Sequence, residues 1–191
     1  MNKQSVTYTE VEKFIVKLRD ISLEYWMNNV FLTWRWWVLI GLLIIPWLIW
    51  LKIVDKNRRQ ELLVYGFSIS ILGLTMDTVG NNLLLWGYPY QIVNGILPPL
   101  LPANLGVLPV TFMLIYYFFP TFKRFFITNV VVAACLSFIG QPIFKWLGFY
   151  VLTNWNYVYS FLVYIVMFLI CYCIVRSTKP QKVNKKDRYS N

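Results

Sequence analysis

Residues 62–86, LLVYGFSISILGLTMDTVGNNLLLW, form an apolar run that contains one charged side chain, Asp77. A membrane-spanning α-helix needs about 20 consecutive, mostly apolar residues. Between Glu61 and Lys123 no other side chain is charged. The stretch therefore predicts a transmembrane helix, and it raises the question of why an acid lies inside that helix.

The composition of the whole chain is typical of a membrane protein. The chain has 191 residues, of which 58% are hydrophobic and 14% are charged, whereas soluble domains are usually about 25% charged. The net charge of +10 is distributed over short segments beside the apolar runs, where basic residues set topology and contact lipid headgroups. Nucleic-acid-binding domains instead carry a basic face on a soluble module, so we expect a lipid bilayer and no nucleic acid as the partner.

Apolar length and periodicity predict an all-α fold, a polytopic transmembrane bundle of about five spans. The predicted spans are residues 36–54, 62–86, 105–122, 125–150 and 157–175. Tryptophans and tyrosines cluster near the span ends, as in the aromatic belts of membrane proteins. The chain thus divides into an N-terminal segment 1–34, a bundle 35–176 and a basic tail 177–191.

The N-terminal segment has a different pattern from the rest of the chain. In residues 9–32 apolar side chains recur at helical spacing, with charged residues between them. This pattern predicts an amphipathic helix that lies on the membrane surface or packs against a partner protein. The apolar positions are Val11, Phe14, Ile15, Leu18, Ile21 and Tyr25.

The distribution of lysine and arginine predicts the orientation of the bundle. Basic residues are frequent in the connection 52–59, at 123–124 and in the tail 176–188, which fall on one side if five spans alternate. The other side has Lys145, no basic residue from 87–104, and the five basic residues at 1–35, which four acids accompany. Because cytoplasmic loops carry the excess of basic residues, we expect a cytoplasmic C-terminus and an N-terminus outside.

A proline-rich, uncharged connection follows the second predicted span. Its sequence, WGYPYQIVNGILPPLLPANLGVLP at 86–109, is too apolar for a solvated loop. Irregular backbone at membrane depth is tolerated only against protein or a wet cavity. The connection therefore either lies flat at the interface or forms a re-entrant segment that caps a cavity, and Trp86, Tyr88 and Pro89 are the candidate cap.

Polar residues on the second and fourth predicted spans lie at similar depth. Counted from the outer ends of the spans, Asp77 is level with Gln141, and Asn81 is level with Lys145. An acid inside a membrane helix costs about 2.5–3.5 kcal/mol on insertion scales, so it faces protein or water. We predict one polar cluster of these four residues, which either fixes helix packing, with Asp77 protonated or paired with Lys145, or lines a binding site.

Around Asp77, the same helix carries a face of small residues. Gly66, Ser70, Gly73 and Asp77 follow steps of three and four, and Gly80 or Asn81 continues them. Such a face lets another helix approach closely.

The residues that most enzymes use are scarce. The chain has no histidine, and its cysteines, Cys135, Cys171 and Cys173, lie inside apolar runs. No phosphate-binding glycine loop, zinc motif, nucleophile elbow or pair of carboxylates is present. We therefore predict no catalytic residue, no metal site and no cofactor.

Several segments resemble a known family. WLKIVDKNRRQELLVYG at 50–66, LWGYP at 85–89, FMLIYYFF at 112–119 and QPIFKWLGFY at 141–150 are similar to those of small multi-pass membrane proteins from endospore-forming bacteria. The resemblance covers roughly residues 34–170. It implies a protein of the bacterial plasma membrane, and it implies no particular activity.

Three functions are compatible with these features. The first is a non-enzymatic accessory or interaction protein, which has another membrane protein or a second copy of itself as partner. The second is a small transporter or binder of a proton, an ion or a lipid-like solute. The third is a membrane-embedded enzyme that modifies a lipid.

Overall fold

The computed structural model of the chain describes residues 6–95 and 100–178. This part of the chain is helical apart from one two-residue antiparallel ladder, which confirms the predicted all-α class. The elements are α1 (Tyr8–Asn29), α2 (Trp34–Ile53), a 3₁₀ turn (Lys56–Arg58), α3 (Arg59–Asn82), β1 (Trp86–Gly87), a π-helical segment (Ala103–Val107), α4 (Leu108–Phe118), α5 (Phe122–Cys135), a second π-helical segment (Leu136–Gly140), α6 (Gln141–Trp146), β2 (Val151–Leu152) and α7 (Tyr157–Thr178).

Helix α3, which contains Asp77, packs against both α4 and α7. Helix α2 packs against α4 and the π-helical segment before it, and the continuous rod 122–146 packs against α7. Aromatic rings fill the space between α3, α4, α5 and α7. Tyr65 stacks on Tyr116 with ring centroids 5.0 Å apart, and Phe125 lies edge-on to Phe168 at 5.9 Å.

Contacts between connections define the two ends of the bundle. At one end, the Tyr117 hydroxyl at the end of α4 donates to Asp55 Oδ2 at 2.6 Å, and Arg58 donates to the Tyr117 carbonyl oxygen. At the other end, the α3–α4 connection pairs with the α6–α7 connection, with Trp86 opposite Leu152. The basic residues at 52–59, at 123–124 and at Arg176 therefore share one end, which we call the basic end, and the ladder marks the ladder end.

Four helices in the described part of the chain are long and apolar enough to cross a membrane: Trp34–Ile53, Lys56–Asn82, Phe122–Trp146 and Tyr157–Ser177. The third predicted span, 105–122, is instead a shorter apolar helix, Ala103–Phe118. At 1.5 Å per residue it is about 24 Å long, against about 30 Å of hydrocarbon. Pro120 explains where this helix ends, because the residue before a proline is disfavoured in the helical conformation.

The outside of the bundle is as apolar as its inside. In α2 only 11% of the apolar window is buried, and Ile44, Ile45, Leu48 and Ile49 are exposed. Side chains of this kind on a continuous surface require an apolar surrounding. This supports a membrane-spanning protein.

The predicted small-residue face of α3 is buried as a unit. Gly66, Ser70, Gly73, Asp77 and Gly80 all lie inside the bundle. A side chain at Gly66 would collide with Met113 of α4. The face therefore allows the close packing of α3 on α4 that the sequence predicts.

Helix α3 ends earlier than predicted, at Asn82 rather than Trp86. The Leu85 N–H donates to the Gly80 carbonyl and the Leu84 N–H to the Asn81 carbonyl, which is the Schellman arrangement. Leu84 has a φ of 54°, in the left-handed region that an L-residue rarely adopts. The chain reverses here, so Trp86 points back toward the bundle instead of extending the span.

Helix α6 ends in the same way. The Phe149 N–H donates to the Phe144 carbonyl and the Gly148 N–H to the Lys145 carbonyl, and Gly148 has a φ of 81°. Glycine adopts this conformation without a steric penalty. Two equivalent helix ends thus bring β1 and β2 together.

Helix α1 forms where the amphipathic pattern predicts it. The Thr7 N–H donates to Glu10 Oε2 at 2.8 Å at the helix start, and no residue of α1 is buried. The helix contacts the rest of the chain near its C-terminus, where Ser22 Oγ lies 2.6 Å from Asn94 Oδ1 and Trp26 Nε1 donates to the Gln91 carbonyl. Its position relative to a membrane or a partner stays a prediction.

Three predicted regions fall partly outside the described residues. They are 1–5 of the N-terminal segment, 96–99 of the proline-rich connection and 179–191 of the basic tail.

The left-handed conformation at Gly148 leads to a stability prediction. Gly148→Ala lowers the free energy of unfolding by about 1–2 kcal/mol, because an L-residue pays that amount in the left-handed region. The control is Gly87→Ala, since Gly87 has no positive φ and a methyl group there meets nothing within 4 Å. Unfolding midpoints in detergent micelles measure both changes, and equal losses for the two variants contradict the assignment.

Candidate functional site

The Asp77 carboxylate lies inside the bundle and is surrounded by hydrogen-bond donors. The residue is 6% exposed. Its Oδ1 accepts from Trp86 Nε1 at 3.0 Å and from the Tyr88 hydroxyl at 2.6 Å. Its Oδ2 accepts from Asn104 Nδ2 at 3.0 Å. Three neutral side chains from beyond α3 therefore hold one acid of α3.

Glycines in α3 create the room for two of these donors. A side chain at Gly80 would collide with the Trp86 ring, and one at Gly73 would meet Asn104 Oδ1 at 2.8 Å. Each glycine lies three or four residues from Asp77 and so on the same helix face. The small-residue face of α3 therefore leaves room for the donors to Asp77 and also lets α4 pack closely.

Tyr88 remains a proton donor over the physiological pH range. Burial raises the pKa of the Tyr88 hydroxyl well above its usual value, and the nearby Asp77 carboxylate raises it further. A phenol with a raised pKa stays protonated at neutral pH. The 2.6 Å distance to Asp77 is typical of a hydroxyl that donates to an ionised oxygen.

Two adjoining cavities lie beside Asp77. The smaller, about 90 Å³, is lined by Asp77, Asn104 and residues of α7. The larger, about 160 Å³, has mostly apolar walls that include Leu42, Leu136 and Phe144. The two cavities meet where both are lined by the same side chains, namely Tyr88, Leu100, Ala103, Leu108, Gln141, Tyr150 and Tyr164.

Irregular helix turns shape the larger cavity. Both π-helical segments, Ala103–Val107 and Leu136–Gly140, contribute to its lining. Each segment ends two residues before a proline, Pro109 or Pro142. A proline cannot donate its backbone hydrogen bond and crowds the preceding turn, and π-bulges are frequent at functional sites.

Gln141, predicted from the sequence, belongs to this site. It lines both cavities, and its Nε2 donates to the Tyr164 hydroxyl at 3.2 Å. Its Oε1 is buried and has no hydrogen-bond partner among the described residues. The cavities thus place Gln141 close to Asp77, as its depth in the span predicts.

The side chains of the other two predicted cluster members, Asn81 and Lys145, form no hydrogen bond with the Asp77 carboxylate among the described residues. Asn81 donates to the Trp86 carbonyl at 3.2 Å, so it supports the chain reversal instead. Lys145 is exposed and forms no ion pair in the described part of the chain. The predicted pairing of Lys145 with Asp77 is therefore wrong: Lys145 lies one turn nearer the helix end than Gln141, where its ammonium group avoids the cost of desolvation.

The three predicted cap residues differ in their contacts. Trp86 and Tyr88 donate hydrogen bonds to Asp77, whereas Pro89 is partly buried and lines neither cavity. Asn104 is a site residue that the sequence reasoning missed. The sequence does contain a signal for Asn104: it is the only residue with a side-chain amide between Asn94 and Thr121, in a mostly apolar segment.

The chemistry available at the site is recognition through hydrogen bonds and aromatic faces. Among the described residues, no group of three or more histidine, cysteine, aspartate and glutamate side chains is placed to hold a metal ion. The one carboxylate already accepts three hydrogen bonds. What the site offers a ligand is a partly polar cavity beside an apolar one.

Comparison with protein-family models, with curated proteins and with solved structures finds no match for this chain. The resemblance to membrane proteins of endospore-forming bacteria therefore stays a prediction.

The contact between Tyr88 and Asp77 can be tested by removing one oxygen atom. Tyr88→Phe lowers the free energy of unfolding by about 1.5–3 kcal/mol, the usual contribution of a hydrogen bond to a charged group. Tyr159→Phe is the matched control, because Tyr159 is 54% exposed. Unfolding midpoints of both variants in the same detergent give the comparison, and a Tyr88→Phe protein as stable as the control shows that the contact is not stabilising.

Proposed function

We propose that this chain is an integral membrane protein that binds a small amphiphilic solute in the two cavities beside Asp77 and does not act as an enzyme. The observation that carries this proposal is that an apolar cavity and a partly polar one lie side by side and share lining side chains, among them Tyr88 and Gln141. Ligand sites in proteins are typically apolar clefts with a few convergent polar groups. A solute with an apolar body and a small polar group matches both parts.

The arrangement of helices supports an entry route from the side. Leu42 of α2 and Phe144 of α6 both line the larger cavity. Helix α2 meets the end of α6 at the ladder end, where Arg35 donates to the Leu147 carbonyl, and otherwise packs mainly against the α4 region. A solute dissolved in the bilayer would reach the cavity between these two helices.

The proposal includes a location. The basic end of the bundle faces the cytoplasm of a bacterium and the ladder end faces outward, so the site lies in the outer half of the plasma membrane. The clustering of basic residues at one end supports this orientation, since cytoplasmic loops carry the excess of lysine and arginine. The bacterial plasma membrane itself comes from the resemblance of residues 34–170.

A role in protein interaction is a second candidate function, and α1 favours it. Phe14 and Leu18 are 74% and 68% exposed, although they belong to the apolar face of an amphipathic helix. Such a face is buried either by lipid or by another protein. A partner on α1 is compatible with a solute in the cavities, because α1 contributes no lining residue.

The solute-binding proposal predicts that filling the cavities abolishes binding. Ala103 lines both cavities, so Ala103→Phe removes the space in which a ligand would lie. We expect at least one of three probes (hexyltrimethylammonium, 1-hexanol or hexanesulfonate) to bind saturably to the wild-type protein in lipid nanodiscs. Binding to Ala103→Phe should be weaker by about tenfold or more, which corresponds to about 1.4 kcal/mol.

Two controls accompany this measurement. Leu105→Phe adds a similar ring nearby but at a position that lines neither cavity, and it should bind like the wild type. Empty nanodiscs report partitioning into lipid. If no probe binds above that background, or if Ala103→Phe binds as well as Leu105→Phe, the proposed function is wrong.

The proposed orientation can be tested with single cysteines. Asn154 and Thr121 are exposed in connections at opposite ends of the bundle. In a version with Cys135, Cys171 and Cys173 replaced by alanine, an impermeant thiol reagent added to intact cells should label Asn154→Cys and leave Thr121→Cys unlabelled. The opposite pattern would place the Asp77 site on the cytoplasmic side.

A further inference from the structure

The smaller cavity is lined by several aromatic side chains. Trp86 and Trp155 contact each other edge to face at 4.8 Å, and Tyr88 and Tyr150 stack at 5.5 Å. Tyr164 completes the set from α7. An aromatic ring has a negative face and a positive edge, so a ring whose face lines the cavity attracts a positive charge.

The polar atoms of the site also favour a positive charge. Asp77 provides a carboxylate whose three hydrogen-bond partners are all neutral side chains. Gln141 adds a buried carbonyl oxygen, Oε1, that has no partner in the described part of the chain. Both groups accept hydrogen bonds and carry negative charge or partial negative charge.

No basic side chain of the described residues lines either cavity. The nearest candidates from the sequence are engaged or oriented elsewhere. The Arg35 guanidinium lies 4.7 Å from the ring centroids of Trp34 and Tyr90 and donates to the Leu147 carbonyl, and Lys145 is exposed. An anionic ligand would therefore meet an acid and no cation.

From these three observations we infer that the solute is an amphiphilic organic cation. Its ammonium group lies in the smaller cavity, between the Asp77 carboxylate and the aromatic rings, and its apolar body lies in the larger cavity. This inference rests on the proposed function, because it names the chemical class of the ligand for the same site. Aromatic side chains beside a carboxylate are an established way to recognise ammonium groups.

The sizes of the cavities agree with such a ligand. About 10–15 Å³ of such space holds one water molecule, so the smaller cavity, about 90 Å³, has room for a trimethylammonium group of four heavy atoms. The larger cavity, about 160 Å³, resembles the dry cavities of about 150 Å³ that bind benzene. A short alkyl chain fits there, and a longer one would leave between α2 and α6.

The three hexyl probes decide the charge preference, since they share a tail and differ in the head. In nanodiscs the wild-type protein should bind hexyltrimethylammonium about tenfold or more tightly than 1-hexanol, and hexanesulfonate most weakly. Asp77→Asn keeps the shape of the side chain and removes its charge, so it should lose most of the preference for the cation over the alcohol. Lys145→Gln is the control for a change of surface charge and should retain the preference.

A second pair of variants covers the case in which Asp77→Asn does not fold. Tyr150 is 7% exposed and lines both cavities. Tyr150→Phe keeps the aromatic face and should keep the cation preference, whereas Tyr150→Leu removes that face and should reduce the preference about threefold or more.

The outcomes separate the two proposals. Equal or tighter binding of 1-hexanol, with binding still abolished by Ala103→Phe, overturns the inference of a cationic ligand and leaves the solute-binding function in place. A cation preference that survives both Asp77→Asn and Tyr150→Leu also overturns the inference. Absence of saturable binding for all three probes overturns the proposed function and the inference with it.

Discussion

A carboxylate inside an apolar helical bundle is the constraint on which the ladder end of this protein depends. An acid transferred from water to a membrane interior loses its hydration, and the loss is tolerated only where protein groups replace the water. Asp77 recovers three hydrogen bonds from Trp86, Tyr88 and Asn104. To supply these hydrogen bonds, the connection after α3 turns back so that Trp86 and Tyr88 reach Asp77. The helical segment that follows begins at the depth where Asn104 also reaches it. The chain reversal, the short helix and the acid form one arrangement.

The same arrangement leaves space beside the acid. Prolines at 109 and 142 interrupt two rods of the bundle, and in each case a π-helical segment precedes the proline. Both π-helical segments contribute to the lining of the larger cavity, and glycines at 73 and 80 leave room for the donors to Asp77. A site of this kind differs from the basic end, where aromatic rings such as Tyr65 and Tyr116 stack without a cavity between them. The cavities thus lie toward the ladder end of the bundle and the Tyr65–Tyr116 stack toward the basic end.

The parts of the fold that could be predicted follow from local pattern. The helices, the apolar exterior, the small-residue face of α3 and the shared depth of Asp77 and Gln141 all depend on residue type at fixed spacing, which is a local property. Predictions that needed a side-chain direction at a helix end were less successful. Lys145 shares a helix face with Gln141 by spacing, yet it is exposed, because α6 ends at Trp146 and the ammonium group is cheaper to solvate than to bury.

The sequence by itself determined that this is a helical protein built for a membrane, with one acid in its interior and its basic residues concentrated beside a few apolar helices. Only the tertiary structure decided which groups meet that acid. The donors Trp86 and Asn104 are separated from Asp77 by a chain reversal at Leu84 and by a proline-rich connection, and neither feature has a periodic signal that fixes its direction. The cavity is likewise a property of several helices at once, since its walls come from α2, α6 and the segment between β1 and α4. Contacts between distant residues depend on how whole helices pack, and residue spacing along one helix does not encode that.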